Sequence, residues 1–251
     1  MSFANGLKTI VMAADVTGPS EAALEYARKL ATAYGARIVL AYGIDPMEYA
    51  EVGTLPGRVI EGLTEEARAV LDKLSADLLR EGIHSHSELR QGAVAQMLLD
   101  VIRQYQAGLI VIGTKGREGA GPVIVGAVAE QLVRLSPCPV LAVAADWNSG
   151  AFRPTPGGPV LLAMERNQAA EAAISTACSL AKTFARPLLL LHARSAEEAA
   201  AHPDPCADTL KEFPLPSCGE FPVHCGTPGP HGTAFALLAR SRVPILCVPP
   251  E

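Results

Sequence analysis

A strand, a glycine-rich turn, a helix and a second strand follow one another between residues 109 and 143, and this order most constrains the fold. Residues 109–112 (LIVI) form a short aliphatic run, typical of a parallel strand that is buried on both faces. Residues 113–121 (GTKGREGAG) contain four glycines, which let backbone N–H groups approach an anion closely. A helical period begins at Gly126. In open α/β sheets, such a loop between a strand and a helix N-terminus binds phosphate.

Strands and helices also alternate through the rest of residues 7–143, which we call the first copy because a similar unit follows it. Pro and Gly separate the segments. Thr64 is expected to cap one helix, and the weakly apolar strand 85–90 is expected at a sheet edge. The last helix is expected to bury Val128, Leu132 and Leu135. The predicted strands cover 7–14, 36–42, 85–90, 109–112 and 140–143, and the predicted helices cover 20–34, 64–80, 93–104 and a segment from Gly126. Strands that alternate with helices predict a doubly wound α/β sheet.

A second copy of the unit (residues 159–248) follows and is shorter. Its beginning again reads as strand, alanine-rich helix and strand, and residues 237–248 match residues 132–143 without a gap. Between its second strand and its closing helix, the second copy is about half as long as the first and has no counterpart of the glycine-rich turn. The predicted organisation is a complete domain over 1–145, a linker over 146–158 and a truncated domain over 159–251.

The glycine spacing resembles that of the universal stress protein family, whose nucleotide-binding members carry Gly-x2-Gly-x9-Gly-[Ser/Thr]. Gly113, Gly116 and Gly126 fall in this register. Two positions depart from the family pattern. Ala127 stands where a Ser or Thr hydroxyl would meet phosphate, and Gly43 falls where family members place an apolar side chain against the base.

The resemblance implies a tandem universal stress protein that consists of two Rossmann-like, adenine nucleotide alpha hydrolase-like domains with parallel sheets, the second truncated. It implies that the first domain binds ATP or AMP, with Mg²⁺ on the phosphates, in stress response or signalling. At most slow ATP hydrolysis is expected, because the loop supplies no evident base to orient water. The implied nucleotide site consists of Asp15, Gly43, Gly113, Lys115, Gly116, Arg117, Gly126, Ala127 and Val128.

Relatives in this family pair through their last strands. The resemblance therefore implies an intramolecular pseudo-dimer in which residues 140–143 lie against residues 245–248, each covering the other's edge. A homodimer of the whole chain is left open as a further assembly.

Each part of the implied site can also be interpreted without a ligand. Asp15 suits a turn or a helix cap, and Lys115 and Arg117 suit a solvated surface pair. The three glycines suit a tight connection between strand and helix. Together these readings describe a nucleotide-free interaction module with the same fold, and Ala127 and Gly43 favour that alternative.

Composition excludes other classes of function. A formal net charge of −5 and an aromatic content of 5% argue against a nucleic-acid-binding surface. No apolar run reaches the roughly 18–20 residues that a membrane span needs. The N-terminus has no basic leader, and the six cysteines form no CxxC pair. We therefore expect a reducing, cytoplasmic location, with Cys138, Cys178 and Cys247 as small buried hydrophobic residues.

Overall fold

The computed structural model describes residues 7–14, 21–47, 56–114, 126–144, 160–164, 170–186, 188–192 and 245–247. Strands and helices alternate through them as the sequence predicts. In chain order the elements are β1 (Thr9–Ala13), α1 (Glu21–Tyr34), β2 (Arg37–Ile44), α2 (Pro56–Arg80), β3 (Ser85–Gln91), α3 (Val94–Gln104), β4 (Leu109–Thr114), α4 (Ala127–Leu135), β5 (Val140–Ala144), β6 (Val160–Met164), α5 (Ala170–Thr183), β7 (Leu188–His192) and β8 (Ile245–Cys247). The predicted linker and the closing helix of the second copy lie outside these ranges.

The main sheet has the strand order β3-β2-β1-β4-β5-β8. Its first five strands are parallel, so the prediction of a doubly wound α/β sheet is confirmed. β3 lies at the edge, as its weakly apolar sequence indicated. The chain winds from β1 through β2 to β3 on one side and then returns to β4 and β5 on the other. The winding direction therefore reverses between β1 and β4.

Helices cover both faces of this sheet and produce two apolar clusters. α1 and α2 pack on the face that carries Met12 and Leu40, and α3 and α4 pack on the face that carries Val11 and Val39. These four strand side chains are at most 1% exposed. Burial on both faces explains why the central strands read as continuous aliphatic runs.

The second copy contributes a β6-α5-β7 unit that packs on the first copy. β6 and β7 form a separate parallel pair, from Val160 opposite Leu188 to Met164 opposite His192. In α5, Leu180 and Phe184 pack against the cluster on the α1 side, and the Ser179 Oγ lies 3.4 Å from the Tyr34 Oη. The repeated strand-helix-strand pattern thus folds as the sequence predicts.

The last strand of the chain joins the sheet of the first copy. β8 runs antiparallel to β5, with Val140 opposite Cys247, Leu141 opposite Leu246 and Ala142 opposite Ile245. The predicted pairing of residues 140–143 with 245–248 is confirmed for these three pairs. β8 closes an edge of β5 that would otherwise present unpaired N–H and C=O groups.

The start of α2 corrects one prediction. The helix begins at Pro56, so residue 64 is in its interior and is not its cap. The Thr64 hydroxyl donates to the Ile60 carbonyl oxygen at 2.6 Å. This bond to the preceding turn is an alternative use of the same hydroxyl that favours caps, and the sequence alone does not distinguish the two.

The buried face of α4 corrects another. Leu132 is fully buried as predicted and Val128 partly so, but Leu135 is 59% exposed. The buried positions next to Leu132 are Ala129 and Ser136, so the face is rotated towards them and away from Leu135. Small residues at 129 and 136 let the helix approach the sheet closely.

Candidate functional site

The candidate site lies where β1, β2 and β4 end, which we call the carboxyl edge. β1 and β4 are parallel neighbours, with Val11 opposite Ile110, and end at Ala13 and Thr114. Ligands of doubly wound sheets bind in the crevice beyond these ends, at the point where the winding direction reverses. Asp15 follows β1 in sequence but is not among the described residues.

The sequence predicts Gly113 at the start of the turn, but in the structure Gly113 lies within β4. It lies opposite Val143 of β5, and Thr114 lies opposite Ala144. Thr114 is 5% exposed, so the strand reaches the carboxyl edge with a buried hydroxyl-bearing side chain that sequence reasoning overlooked. Its signal in the sequence was its position two residues after the aliphatic run, next to Gly113. Lys115, Gly116 and Arg117 fall outside the described ranges.

The first turn of α4 has three backbone N–H groups for which the helix itself supplies no acceptor. Gly126 precedes it in extended conformation (φ −65°, ψ 153°) and has no side chain to cap the helix. The Glu130 N–H donates to the Gly126 carbonyl at 3.0 Å, so the N–H groups of Ala127, Val128 and Ala129 have no acceptor within the helix. These donors and the helix dipole favour an anion. Ala127 is exposed, and a Cβ built at Gly126 meets no atom of the described residues within 4 Å.

The turn from α4 into β5 holds this helix in place. The Ser136 hydroxyl donates to the Cys138 carbonyl oxygen at 2.7 Å, and the Cys138 N–H lies 3.3 Å from the same hydroxyl oxygen. The Ile110 N–H donates to the Pro139 carbonyl at 3.0 Å and joins the turn to β4. Cys138 is 2% exposed, and its burial raises the pKa of its thiol to about 11.

Gly43, near the end of β2, contacts the first turns of α3. A Cβ built on it would lie 2.7 Å from the Met97 Cε and 3.3 Å from each methyl group of Val94. Side chains of α3 therefore fill the place that a side chain at residue 43 would need. Gly92, whose φ of +128° favours glycine, donates its N–H to the Ile44 carbonyl at 2.9 Å and directs the chain into α3.

A cluster of hydrogen-bonded polar side chains lies on the edge strand β3 and just beyond the end of α3. Glu88 accepts hydrogen bonds from the Tyr105 hydroxyl and from the Arg90 Nε, the latter at 3.0 Å. Burial alone would raise the pKa of Glu88, but these bonds and the Arg90 charge hold it below its usual value. Arg37 stacks on the Tyr105 ring at 5.7 Å and donates to the Thr9 Oγ1 at 3.0 Å. These side chains satisfy one another and attach the edge strand to its neighbours.

The described part of the chain contains neither a metal-binding cluster nor a membrane-spanning helix. Within it, no three His, Cys, Asp or Glu side chains lie close enough together to hold a metal ion. Of the helices that the structure describes, none has the length and apolar character to cross a membrane.

The model of the universal stress protein family matches residues 6–144. A universal stress protein of Methanocaldococcus jannaschii is 31% identical over 144 residues, which are 55% of this chain and 83% of the relative. One of Mycolicibacterium smegmatis is 29% identical over 189 residues, which are 73% of this chain and 63% of the relative. The crystal structure of a universal stress protein from Archaeoglobus fulgidus aligns with a TM-score of 0.61 at 17% identity, over 77% of this chain and 70% of that one, and shows the same fold.

Proposed function

This chain belongs to the universal stress protein family, and on that premise we propose that its first copy binds an adenine nucleotide, ATP or AMP, at the carboxyl edge. The observation that carries the proposal is the position of two glycines of the family register. Gly113 lies at the end of β4, and Gly126 precedes an α4 N-terminus without a side-chain cap. Strand end and helix start bracket the turn whose backbone would hold phosphate.

Five of the proposed site residues would bind the nucleotide directly. The N–H groups at Ala127 and Val128 would donate to phosphate oxygens, and Lys115 and Arg117 would add charge-assisted bonds. Asp15 would accept hydrogen bonds from the ribose or the base. Mg²⁺ would be bound mainly by phosphate oxygens and water, as it commonly is in nucleotide sites.

The biological role that we propose is nucleotide-dependent stress response or signalling in the cytoplasm, without robust catalysis. We propose two tandem domains that form an intramolecular pseudo-dimer. The β5–β8 pairing and the packing of α5 on the α1 side support this arrangement.

A nucleotide-free interaction module is the second candidate function. Ala127 offers no hydroxyl to phosphate, which removes a bond worth roughly 1.5–3 kcal/mol. Gly43 offers no apolar side chain of its own against a base. Both observations favour a fold that presents its surface to partners without binding a nucleotide.

A thermal-shift titration with ATP and Mg²⁺ separates the two candidates. Ligand at a hundred times its dissociation constant adds about 2.7 kcal/mol to the free energy of unfolding. For a chain of this size, that corresponds to a rise in melting temperature of about 5–11 °C. No rise at millimolar ATP would support the interaction module.

Gly126→Val tests the location of the site. Its φ of −65° and the open space around its Cβ position should let valine fit without strain. We expect an almost unchanged melting temperature without nucleotide and no rise with ATP, because the side chain obstructs the helix N-terminus. Gly62→Val is the matched control, since Gly62 also has open space but lies on α2, across the sheet. If Gly126→Val retained the ATP-dependent rise, the nucleotide would bind elsewhere.

A further inference from the structure

We infer that the Met97 side chain closes the base end of the proposed nucleotide site and limits the size of the base that it accepts. The inference rests on the proposed function and adds to it a residue that determines specificity. It assigns to α3 a contact that the family pattern would place on β2, at residue 43.

The contact between Gly43 and Met97 carries the inference. Gly43 is the next-to-last residue of β2 and partly exposed, whereas Met97 is 5% exposed. The Met97 Cε lies 2.7 Å from the point where a Cβ of residue 43 would be. With Met97 in this rotamer, residue 43 has no room for a Cβ atom. Residues 43 and 97 thus compete for one volume.

This volume is at the right end of the site for a base. Phosphates favour the α4 N-terminus beyond β4, and β1 separates β4 from β2. Two strand spacings, about 10 Å, therefore lie between the phosphate end and the end of β2. Val94 and Met97 belong to the same apolar cluster as Leu132 of α4, so both ends lie on one face of the sheet.

The phosphate end and the base end of the proposed site also differ in chemistry, as the two parts of a nucleotide do. Pockets for a planar heterocycle are lined mainly by apolar side chains with few polar groups. Val94 supplies two methyl groups here, and Met97 supplies a polarizable thioether that packs well against aromatic rings. The α4 N-terminus offers N–H donors. A nucleotide placed along this edge therefore meets donors at its phosphates and apolar groups at its base.

Shortening Met97 tests the inference through selectivity. We compare the dissociation constants of ATP and of three ATP analogues with a bulky substituent at N6, C2 or C8 of adenine. Met97→Ala should improve the binding of at least one analogue relative to ATP by about tenfold or more, since pocket size discriminates at this level. Gly43→Ala combined with Met97→Ala should restore part of the wild-type discrimination, because the new methyl group occupies part of the vacated volume.

Met12→Ala is the matched control. Met12 is also a buried methionine, 1% exposed, but it packs on the α1 and α2 face. Met12→Ala removes the same atoms as Met97→Ala and should keep the wild-type ratios between the dissociation constants of the analogues and of ATP. If Met97→Ala is not folded at the assay temperature, Met97→Val provides the comparison with a smaller loss of volume.

The outcomes distinguish a wrong role for Met97 from a wrong assignment of nucleotide binding. If the wild-type chain binds ATP and the folded Met97 variant shows ratios within twofold of wild type for all three analogues, the inference is wrong and the proposed function stands. Equal gains in Met97→Ala and Met12→Ala would also overturn it, because general loosening of the core would explain both. If the wild-type chain binds no ATP, the proposed function is wrong and the inference that rests on it is overturned as well.

Discussion

Introducing a hydroxyl group at residue 127 should strengthen nucleotide binding. Ala127 is the first residue of α4, is exposed, and follows a glycine that offers no cap. A hydroxyl there would lie beside the N–H groups that are proposed to hold phosphate. A hydrogen bond to a charged group contributes roughly 1.5–3 kcal/mol. We therefore expect Ala127→Ser to lower the dissociation constant for ATP by about tenfold to a hundredfold.

An isosteric pair isolates the hydroxyl from other effects of the substitution. Ala127→Thr and Ala127→Val add side chains of nearly the same shape, and only threonine can donate to phosphate. Both should leave stability within about 0.5 kcal/mol of wild type, because the position is exposed. Isothermal titration with ATP and Mg²⁺ at fixed salt then measures the difference in affinity between the two variants.

The result that would refute the reasoning is equal affinity of the threonine and valine variants. It would mean that the phosphates do not reach the start of α4, whatever binds elsewhere on the edge. If both variants bound ATP more tightly than wild type by the same factor, the gain would come from apolar contact, which equally refutes a role for the hydroxyl. Only a gain confined to serine and threonine supports the proposed phosphate position.

Two further predictions concern the parts of the fold that position the site. Leu132→Ala should lower the free energy of unfolding by about 2–5 kcal/mol, whereas Leu135→Ala should change it by less than about 0.5 kcal/mol; equal losses in urea denaturation would contradict the α4 orientation described here. Burial raises the pKa of Cys138 and Cys247 to about 11, so alkylation followed peptide by peptide should be slow at pH 7.5 and accelerate towards pH 11. Alkylation of Cys247 at the rate of a free thiol would show that β8 leaves β5.

The main elements of the first copy could be predicted because local sequence and burial agree there. Residues 109–112 are aliphatic since both faces of β4 are covered, and residues 85–90 are polar since β3 has an open edge. Helix periods and flanking glycines fixed the helices to within a few residues, apart from the early start of α2. Even the pairing of the last strands followed from the repeat and the family resemblance.

What could not be predicted depends on contacts between distant residues. The Gly113 backbone is held in the ladder by β5, although its own sequence reads as a turn. The exposure of Leu135 depends on which face α4 turns towards the sheet, and the buried Ala129 belongs to that face. At the carboxyl edge, the Gly43–Met97 contact joins residues on different elements, and no local pattern announces it. The roles of Asp15 and Lys115 remain predictions.

The described elements after residue 159 contribute contacts to the first copy. A strand of three residues is too short to be stable alone. β8 is held because Leu246 packs into the cluster on the α1 side while Ile245 and Cys247 pack into the cluster on the α3 side. It thereby extends both cores and covers the β5 edge, a position where an open strand invites association. Among the described residues of the second half of the chain, α5 packs on the α1 side and β8 pairs with β5, so both elements contribute to the fold of the first copy.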